Sequence, residues 1–244
     1  NGLGTIVVFS AGNNRDSNEY ETSNSPYHIA VGATKVNGNI ASFSSAGANV
    51  LISAPGQGVL TTDRPGSLGE SFGDYVTASG TSFSAPIVSS IAGLMLEANP
   101  ELGYRDVQNI LAYSAKNMSH MNVNQATDFA DVGFQENGAR HFNLGGLTFN
   151  HYYGFGLVDA TAAVRMAETW TDQKTYNNLD VVSYKANPNA FVSPGGKVSI
   201  PVQVTENMMV ERVTLFVDLD IDDDWVSWSP SLTLVSPDGT RSLL

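Results

Sequence analysis

The sequence predicts an α/β fold with a parallel sheet, followed by a separate all-β region. Three uninterrupted apolar runs rich in β-branched residues, at residues 5–9, 28–32 and 49–53, are typical of strands buried on both faces. Segments with helical periodicity come after these runs, and beyond residue 170 the apolar residues alternate with period two. With 244 residues, the chain exceeds one typical domain of roughly 100–200 residues.

Three helices are predicted, each from its own signal. Residues 82–98 form the first helix, with Pro86 in its first turn, and residues 87–96 are apolar nearly all round, which indicates a buried central helix. Residues 105–116 carry apolar side chains on one face at helical spacing. Residues 159–170 form the third helix, for which Asp159 is a good N-cap.

Between the second and third helices, residues 119–150 are polar and lack periodicity, and we expect a long surface loop. After residue 170, alternating runs at 181–182, 198–204 and 212–217 are bounded by Gly- and Pro-rich turns and acidic residues. These runs predict β-strands, with residues 171–244 as one all-β unit.

Composition narrows the classes of function. Hydrophobic residues make up 42% of the chain and charged residues 15%, which excludes a wholly disordered chain. Lys and Arg number 12 against 24 Asp and Glu, a net charge of −12 without a basic cluster, so we expect no nucleic-acid partner. The longest apolar stretch, residues 87–96, is shorter than the roughly 20 residues of a membrane span.

The chain contains no cysteine. This excludes a disulfide scaffold, thiolate catalysis and Cys-ligated zinc. Strong acidity without cysteine suits a secreted bacterial protein whose fold is held by bound cations. The chain opens without Met and without a signal peptide, so we expect a fragment or a processed product.

The most specific stretch is residues 80–86, which read Gly-Thr-Ser-Phe-Ser-Ala-Pro at the start of the first predicted helix. A serine at this place lies in the positive end of the helix dipole, where an anionic intermediate is stabilised. The string is not the Gly-x-Ser-x-Gly elbow of α/β-hydrolases, because its fifth position is Ser84. The alternative is that Ser82 merely caps the helix.

This string resembles the nucleophile motif of subtilisin-like serine proteases, the peptidase S8 family. Residues 96–100, 104–108 and 153–160 look like the kexin/furin-like branch of that family. The resemblance implies that residues 1–170 are the C-terminal part of a catalytic domain, with a parallel sheet and helices on both faces. It also implies that Ser82 is the nucleophile that cleaves a polypeptide substrate through an acyl-enzyme.

The same resemblance interprets the end of the first strand, where Ser10, Ala11 and Gly12 precede Asn13. It implies that the side-chain amide of Asn13 and the backbone N–H of Ser82 stabilise the oxyanion. It also implies substrate contacts at residues 10–12 and at Thr81. The alternative is that Asn13 only forms a turn after the strand.

The triad partners of Ser82 are not found in this sequence. The family order is Asp, then His, then Ser, and neither expected motif occurs before Asn13. We interpret the four histidines, His28, His120, His141 and His151, as ordinary surface or packed residues. A serine without a general base attacks slowly. We therefore expect the partner of this chain to be the missing N-terminal part of the same catalytic domain.

Acidic residues follow the oxyanion loop. In kexin-like relatives this loop supplies carboxylates that bind Ca²⁺ and that face a basic P1 side chain, which implies a Ca²⁺ ligand at Asp16 and substrate contacts at Glu19, Tyr20 and Glu21. Tyr20 stands where those relatives place an Asp, and Ser45 where they place another acidic Ca²⁺ ligand. We expect a weak preference for Arg or Lys at P1. The alternative is a solvated acidic loop.

The region from residue 171 to 244 resembles the first part of a P domain, the β-sandwich of proprotein convertases. The similarity depends on the alternating strands and on residues 231–240. The acidic run at residues 218–224 lacks the spacing of an EF-hand. It either binds Ca²⁺ or is a solvated edge loop, and charge runs more often remain solvated.

Two functions follow from these observations. The leading one is a secreted serine endopeptidase. The alternative is a non-catalytic module, a pseudoprotease or adhesin, that keeps the scaffold and binds through the β region.

Overall fold

The computed structural model describes residues 2–15, 23–120, 134–136, 146–188, 190–192, 196–206, 208, 210–218, 232–237, 239 and 241–243. A parallel three-stranded sheet is the centre of this fold, in the order β1 (Val7–Ser10), β2 (His28–Thr34) and β3 (Val50–Pro55). All three predicted strands are confirmed within a few residues. The predicted α/β class is confirmed as well.

The three strands differ in burial according to their place in the sheet. β2 is central, and its residues from Ile29 onward are buried. β1 pairs only with β2 in the described part of the chain, with Val8 opposite Ile29, and all its residues are half-buried. The prediction that the first strand is buried on both faces is therefore wrong for the described chain. β1 is the edge strand, and no described strand pairs with its outer edge.

Three helices form a layer on one face of the sheet: α1 (Thr81–Ala98) and α2 (Tyr104–Ser114) contact its strands, and α3 (Ala160–Glu168) packs on these two helices. The predicted helices are thus confirmed, and the Asp159 carboxylate caps α3 by accepting the Ala162 N–H at 2.9 Å. The common core buries Ile29, Val31, Ile52, Ala54, Val88, Ile91, Met95, Val107, Ile110, Leu111 and Ala163. Each large side chain in such a core contributes about 1.5–3 kcal/mol.

The opposite face of the sheet carries loops rather than helices over the described residues. A Cβ on Gly32 would lie 2.7 Å from the carbonyl oxygen of Tyr152, so the absent side chain lets this loop approach the sheet closely. Ala46, Met118, Tyr152 and Tyr153 form a second buried cluster there. The described chain therefore shows helices on one face only, and the expected helices of the other face stay a prediction.

Helix α1 is less buried than its composition indicates. One side faces the core, but Ser89, Ser90, Gly93 and Leu94 on the other side are exposed, Leu94 by 49%. Pro86 lies in the second turn rather than the first, because the helix begins at Thr81. The exposed side is free of any described element that could cover it.

The described elements also include three antiparallel pairs, β4 (Val59–Thr62) with β5 (Tyr75–Ala78), β6 (Gln135–Glu136) with β7 (Thr148–Phe149), and β8 (Thr233–Val235) with β9 (Arg241–Leu243). Two short 3-10 helices span Gly66–Leu68 and Tyr176–Asn178. The second pair lies within the predicted loop 119–150, most of which is outside the described residues. None of the helices in the described ranges has the length and apolarity to cross a membrane.

The region after residue 170 carries little regular structure. Residues 181–182, 198–204 and 212–217 are not in strands, and their alternating apolar side chains are exposed. No described strand lies beside them to pair with their backbones. The β8–β9 hairpin agrees with the predicted strand and turn near residues 231–240, and the P-domain-like sandwich stays a prediction.

A buried carboxylate fixes the start of this region to α2. Asp106 accepts the backbone N–H of Gly103 at 2.8 Å and of Lys174 at 3.0 Å, and the indole N–H of Trp170 at 3.0 Å. Burial raises the pKa of Asp106, and these donors only partly offset that effect. The segment between Trp170 and Lys174 is therefore fastened to the helical layer.

An ion-pair network extends this attachment to residue 211. Arg105 binds Glu211 at 2.8 Å, and Lys174 Nζ lies 3.0 Å from the same carboxylate. Burial would raise the pKa of Glu211, but hydrogen bonds from Lys174 and Arg105 outweigh it and hold the pKa below its ordinary value. Arg105 Nη1 also donates to the Thr175 carbonyl at 2.8 Å.

Asp106→Asn should lower the free energy of unfolding by about 1–3 kcal/mol, because an amide NH₂ would face backbone N–H donors. Since the raised pKa makes the folded state bind the proton of Asp106 more tightly, wild type gains stability as the pH falls through that raised pKa towards 3.8, and the variant does not. The difference between the two proteins should therefore widen at acid pH in urea unfolding.

The matched control is Glu101→Gln, which changes an exposed acid just before α2. It should alter stability by less than about 0.5 kcal/mol. A difference between wild type and Asp106→Asn that stays constant with pH would contradict the assignment of a raised pKa to Asp106.

Candidate active site

Ser82 is the second residue of α1, and it is exposed at the carboxyl end of the parallel sheet. Two hydrogen bonds hold this end of the helix on β3 and the turn after it. The Ser84 hydroxyl donates to the Ala54 carbonyl at 3.1 Å, and the Gly80 N–H donates to the Gly56 carbonyl at 2.8 Å. Strand ends of this kind are where α/β folds place their ligands.

Gly56 permits the close contact between the strand end and the helix. A Cβ at this position would lie 2.2 Å from Ser84 Oγ and 2.7 Å from the Ala33 Cβ, which no side chain could tolerate. Sequence reasoning did not identify Gly56 as a site residue. The signal was a glycine directly after the apolar run of β3, at the point where a strand ends.

Asn13 is joined to the start of α1 by its side-chain carbonyl. Asn13 Oδ1 accepts both the backbone N–H of Thr81 and its hydroxyl, each at 2.9 Å. The Thr81 hydroxyl in turn accepts the Gly12 N–H at 3.2 Å. Thr81 is completely buried, whereas Asn13 and Ser82 are exposed. The predicted nucleophile and the predicted oxyanion residue are thus brought together through Thr81.

These bonds leave two donors without an acceptor among the described residues. Because Thr81 takes the carbonyl end of the Asn13 amide, the NH₂ end is directed away from Thr81. Among the first amides of α1, Thr81 N–H binds Asn13 and Phe83 N–H binds the Gly80 carbonyl at 3.0 Å, while Ser82 N–H has no acceptor among the described residues. Two N–H donors beside an exposed hydroxyl can stabilise a developing oxyanion.

The three residues before Asn13 continue the sheet. Ser10 ends β1, and the buried Ala11 donates its N–H to the Val31 carbonyl at 3.0 Å. Gly12 has a φ of +108°, which glycine adopts readily, and this turns the chain towards Thr81. Their roles as substrate-binding residues, like that of Thr81, stay predictions.

Ser45 holds the same loop through two hydrogen bonds. Its backbone N–H donates to the Gly12 carbonyl at 3.0 Å, and its hydroxyl accepts the Asn14 N–H at 3.3 Å. Sequence reasoning considered Ser45 only as a position where relatives carry an acidic Ca²⁺ ligand. Its contribution to the loop depends on a contact between distant segments, which no local sequence pattern reveals.

The acidic loop residues lie outside the described residues: Asp16, Glu19, Tyr20 and Glu21. Within the described ranges, no group of three or more His, Asp or Glu side chains is placed to hold a metal ion. The Ca²⁺ ligand at Asp16 and the substrate contacts of the other three residues therefore stay predictions.

The histidines agree with their interpretation as packed or surface residues. His28 packs against Phe9 with ring centroids 4.8 Å apart, His151 is buried against Phe149, and His120 is exposed. His141 lies outside the described residues. No described histidine makes a hydrogen bond to Ser82, so a general base for Ser82 is not seen in the part of the chain that the structure describes.

The sequence profile of the subtilase family, peptidase S8, matches residues 1–156. Two curated relatives align with the whole chain. The dibasic-processing endoprotease of Schizosaccharomyces pombe is 33% identical, and the chain covers 34% of it. Furin of Rattus norvegicus is 32% identical, and the chain covers 29% of it. The chain thus spans about a third of the length of these curated relatives.

A solved protease structure from Pseudoalteromonas arctica PAMC 21717 has a similar fold. The two structures superimpose with a TM-score of 0.51 at 29% sequence identity. The match covers 67% of this chain and 43% of the protease chain. The similarity supports the subtilisin-like arrangement of sheet and helices.

Proposed function

Because the chain belongs to the subtilase family and is similar to its kexin- and furin-like members, we propose that it carries the nucleophile of a secreted serine endopeptidase. The observation that supports this most directly is the junction of Asn13, Thr81 and Ser82. It combines an exposed hydroxyl with two accessible N–H donors at the carboxyl end of the sheet.

In the proposed reaction, Ser82 Oγ attacks the carbonyl carbon of a peptide bond and transfers its proton to a histidine base. The Asn13 side-chain amide and the Ser82 N–H donate to the oxygen that becomes negative. The peptide bond then breaks, the amine leaves with the proton from the histidine, and an ester remains on Ser82. Water hydrolyses this ester by the reverse sequence of proton transfers.

We propose that the histidine and its aspartate partner come from a part of the same polypeptide that precedes this chain. Their family order places both before the serine. The outer edge of β1 and the exposed side of α1, with Ser89, Ser90 and Gly93, could receive further strands and helices, since small residues allow close approach. The relatives are about three times as long as this chain.

Residues 1–244 expressed alone should show no peptidase activity, because Ser82 lacks a base. The full-length gene product should hydrolyse peptides, and Ser82→Ala should abolish this. The measurement is fluorogenic peptide hydrolysis, together with mass spectrometry of labelling by a fluorophosphonate. Hydrolysis by the full-length protein that survives Ser82→Ala would refute the function. Intact folding without any Ser82-dependent hydrolysis would favour the non-catalytic binding module.

Asn13→Ala in the full-length protein should lower kcat by about 10²–10³, the loss found when one oxyanion donor is removed from a relative in this family. KM should change little, because the donor acts on the transition state rather than on bound substrate. Steady-state kinetics on one peptide substrate separate the two constants. A higher KM with unchanged kcat would instead make Asn13 a substrate-binding residue.

For specificity, we propose a preference for Arg or Lys at P1. The chain is acidic, Glu19 and Glu21 follow the oxyanion loop, and the relative from Schizosaccharomyces pombe is described as dibasic-processing. A carboxylate in a partly desolvated pocket favours a cationic side chain. Tyr20 between the two glutamates makes the expected preference weaker than that of strict convertases.

A peptide-library profile of the full-length enzyme should show this preference. Glu19→Gln or Glu21→Gln should reduce it, whereas Glu70→Gln, in the exposed turn between β4 and β5, should not. An aromatic or aliphatic P1 preference that neither Glu19→Gln nor Glu21→Gln changes would refute the proposal. Glu19 and Glu21 would then be residues of a solvated loop.

We also propose a structural Ca²⁺ with Asp16 as a ligand, and secretion by a bacterium. The Ca²⁺ proposal rests on the family resemblance. The described residues add no support, since no group of three or more His, Asp or Glu side chains among them is placed to hold a metal ion. No step of the reaction depends on this ion.

A further inference from the structure

The loop that presents Asn13 is held by hydrogen bonds to the segment between β2 and β3. Ser45 N–H donates to the Gly12 carbonyl at 3.0 Å, Asn14 N–H donates to Ser45 Oγ at 3.3 Å, and Arg15 N–H donates to the Phe43 carbonyl at 3.1 Å. Arg15 has a φ of +62°, a conformation that a non-glycine residue keeps only when its surroundings enforce it. The loop conformation thus depends on this segment.

Ser45 is placed to control Asn13 in particular. Its two bonds reach the residues on either side of Asn13, the carbonyl of Gly12 and the N–H of Asn14. Ser45 is completely buried, and a Cβ on Gly12 would lie 3.0 Å from its hydroxyl oxygen, so the loop rests directly on this side chain. A buried side chain with this packing has little freedom to move.

We propose that Ser45 is a positioning residue for the oxyanion donor, an inference that rests on the proposed function. Thr81 fixes the side-chain end of Asn13 through Oδ1, and Ser45 fixes its backbone end. Only with both ends held does the amide N–H stay within the narrow distance that oxyanion stabilisation needs. Ser45 acts through Asn13 and does not itself touch the substrate.

Ser44 provides a matched control. It is an adjacent buried serine, and its hydroxyl accepts the Ala33 N–H at 3.0 Å and donates to the Ser45 carbonyl at 3.3 Å. Ser44→Ala removes a comparable buried hydroxyl. The backbone amide that loses its acceptor in this variant is that of Ala33, which belongs to β2 and not to the oxyanion loop. A general loss of packing should therefore affect both variants alike.

The kinetic test compares single and double variants of the full-length enzyme. Ser45→Ala should lower kcat between about 10- and 100-fold with little change in KM, and Ser44→Ala should leave both near wild type. In an Asn13→Ala background, Ser45→Ala should cause no further loss of kcat. Equal losses in the two serine variants, a raised KM, or a full additional loss in the double variant would overturn the proposal.

A second readout does not depend on activity. Amide hydrogen exchange at Asn14 should be faster in Ser45→Ala and unchanged in Ser44→Ala. In Ser44→Ala, the amide that exchanges faster should be that of Ala33. Ser45→Cys, with a sulfur that accepts weakly, should lie between wild type and Ser45→Ala and serves if the latter does not fold. Unchanged exchange of the Asn14 amide in Ser45→Ala would refute the positioning role. A full-length wild-type protein without Ser82-dependent hydrolysis would refute only the proposed function.

Discussion

The contact between Asn13 and Thr81 joins the two halves of the site. Asn13 lies in the loop after an edge strand, and Thr81 begins the central helix, yet two hydrogen bonds of 2.9 Å bind them. Because both donors belong to the residue just before Ser82, the proposed oxyanion donor and the proposed nucleophile share one anchor. Their relative position therefore depends on one buried threonine.

The sheet determines where that anchor lies. The helix start rests on the end of β3 through Ser84 and the Gly56 carbonyl, and the oxyanion loop rests on Ser45. Both contacts include a glycine, because a Cβ on Gly56 would lie 2.2 Å from Ser84 Oγ and a Cβ on Gly12 would lie 3.0 Å from Ser45 Oγ. The site is thus built from close backbone contacts at one edge of the sheet, and its hydrogen bonds only complete an arrangement that packing has already restricted.

Local patterns predicted most of the fold. The apolar runs located β1, β2 and β3, helical spacing located three helices, and the N-cap role of Asp159 was read correctly. The motif around Ser82 located the start of α1, and the nucleophile role of Ser82 stays a prediction. Ser45 and Gly56 were missed as supports, because they contribute through contacts between segments distant in sequence. The exposed side of α1 was missed because an apolar composition predicts that a helix is buried but does not identify the elements that cover it.

The two halves of catalysis have different structural requirements in this chain. Oxyanion stabilisation needs fixed dipoles. Hydrogen bonds hold residues 12–14 against Ser45 and Thr81, which fixes the position of the proposed donor Asn13. Proton transfer needs a titratable base within reach of Ser82, and no described histidine forms that contact. The helices that support Ser82 are in turn fastened to the following region through Asp106 and Glu211. Since α2 packs on α3 and α3 packs on α1, the helix that carries Ser82 is joined to Trp170 and Lys174 through packed helices.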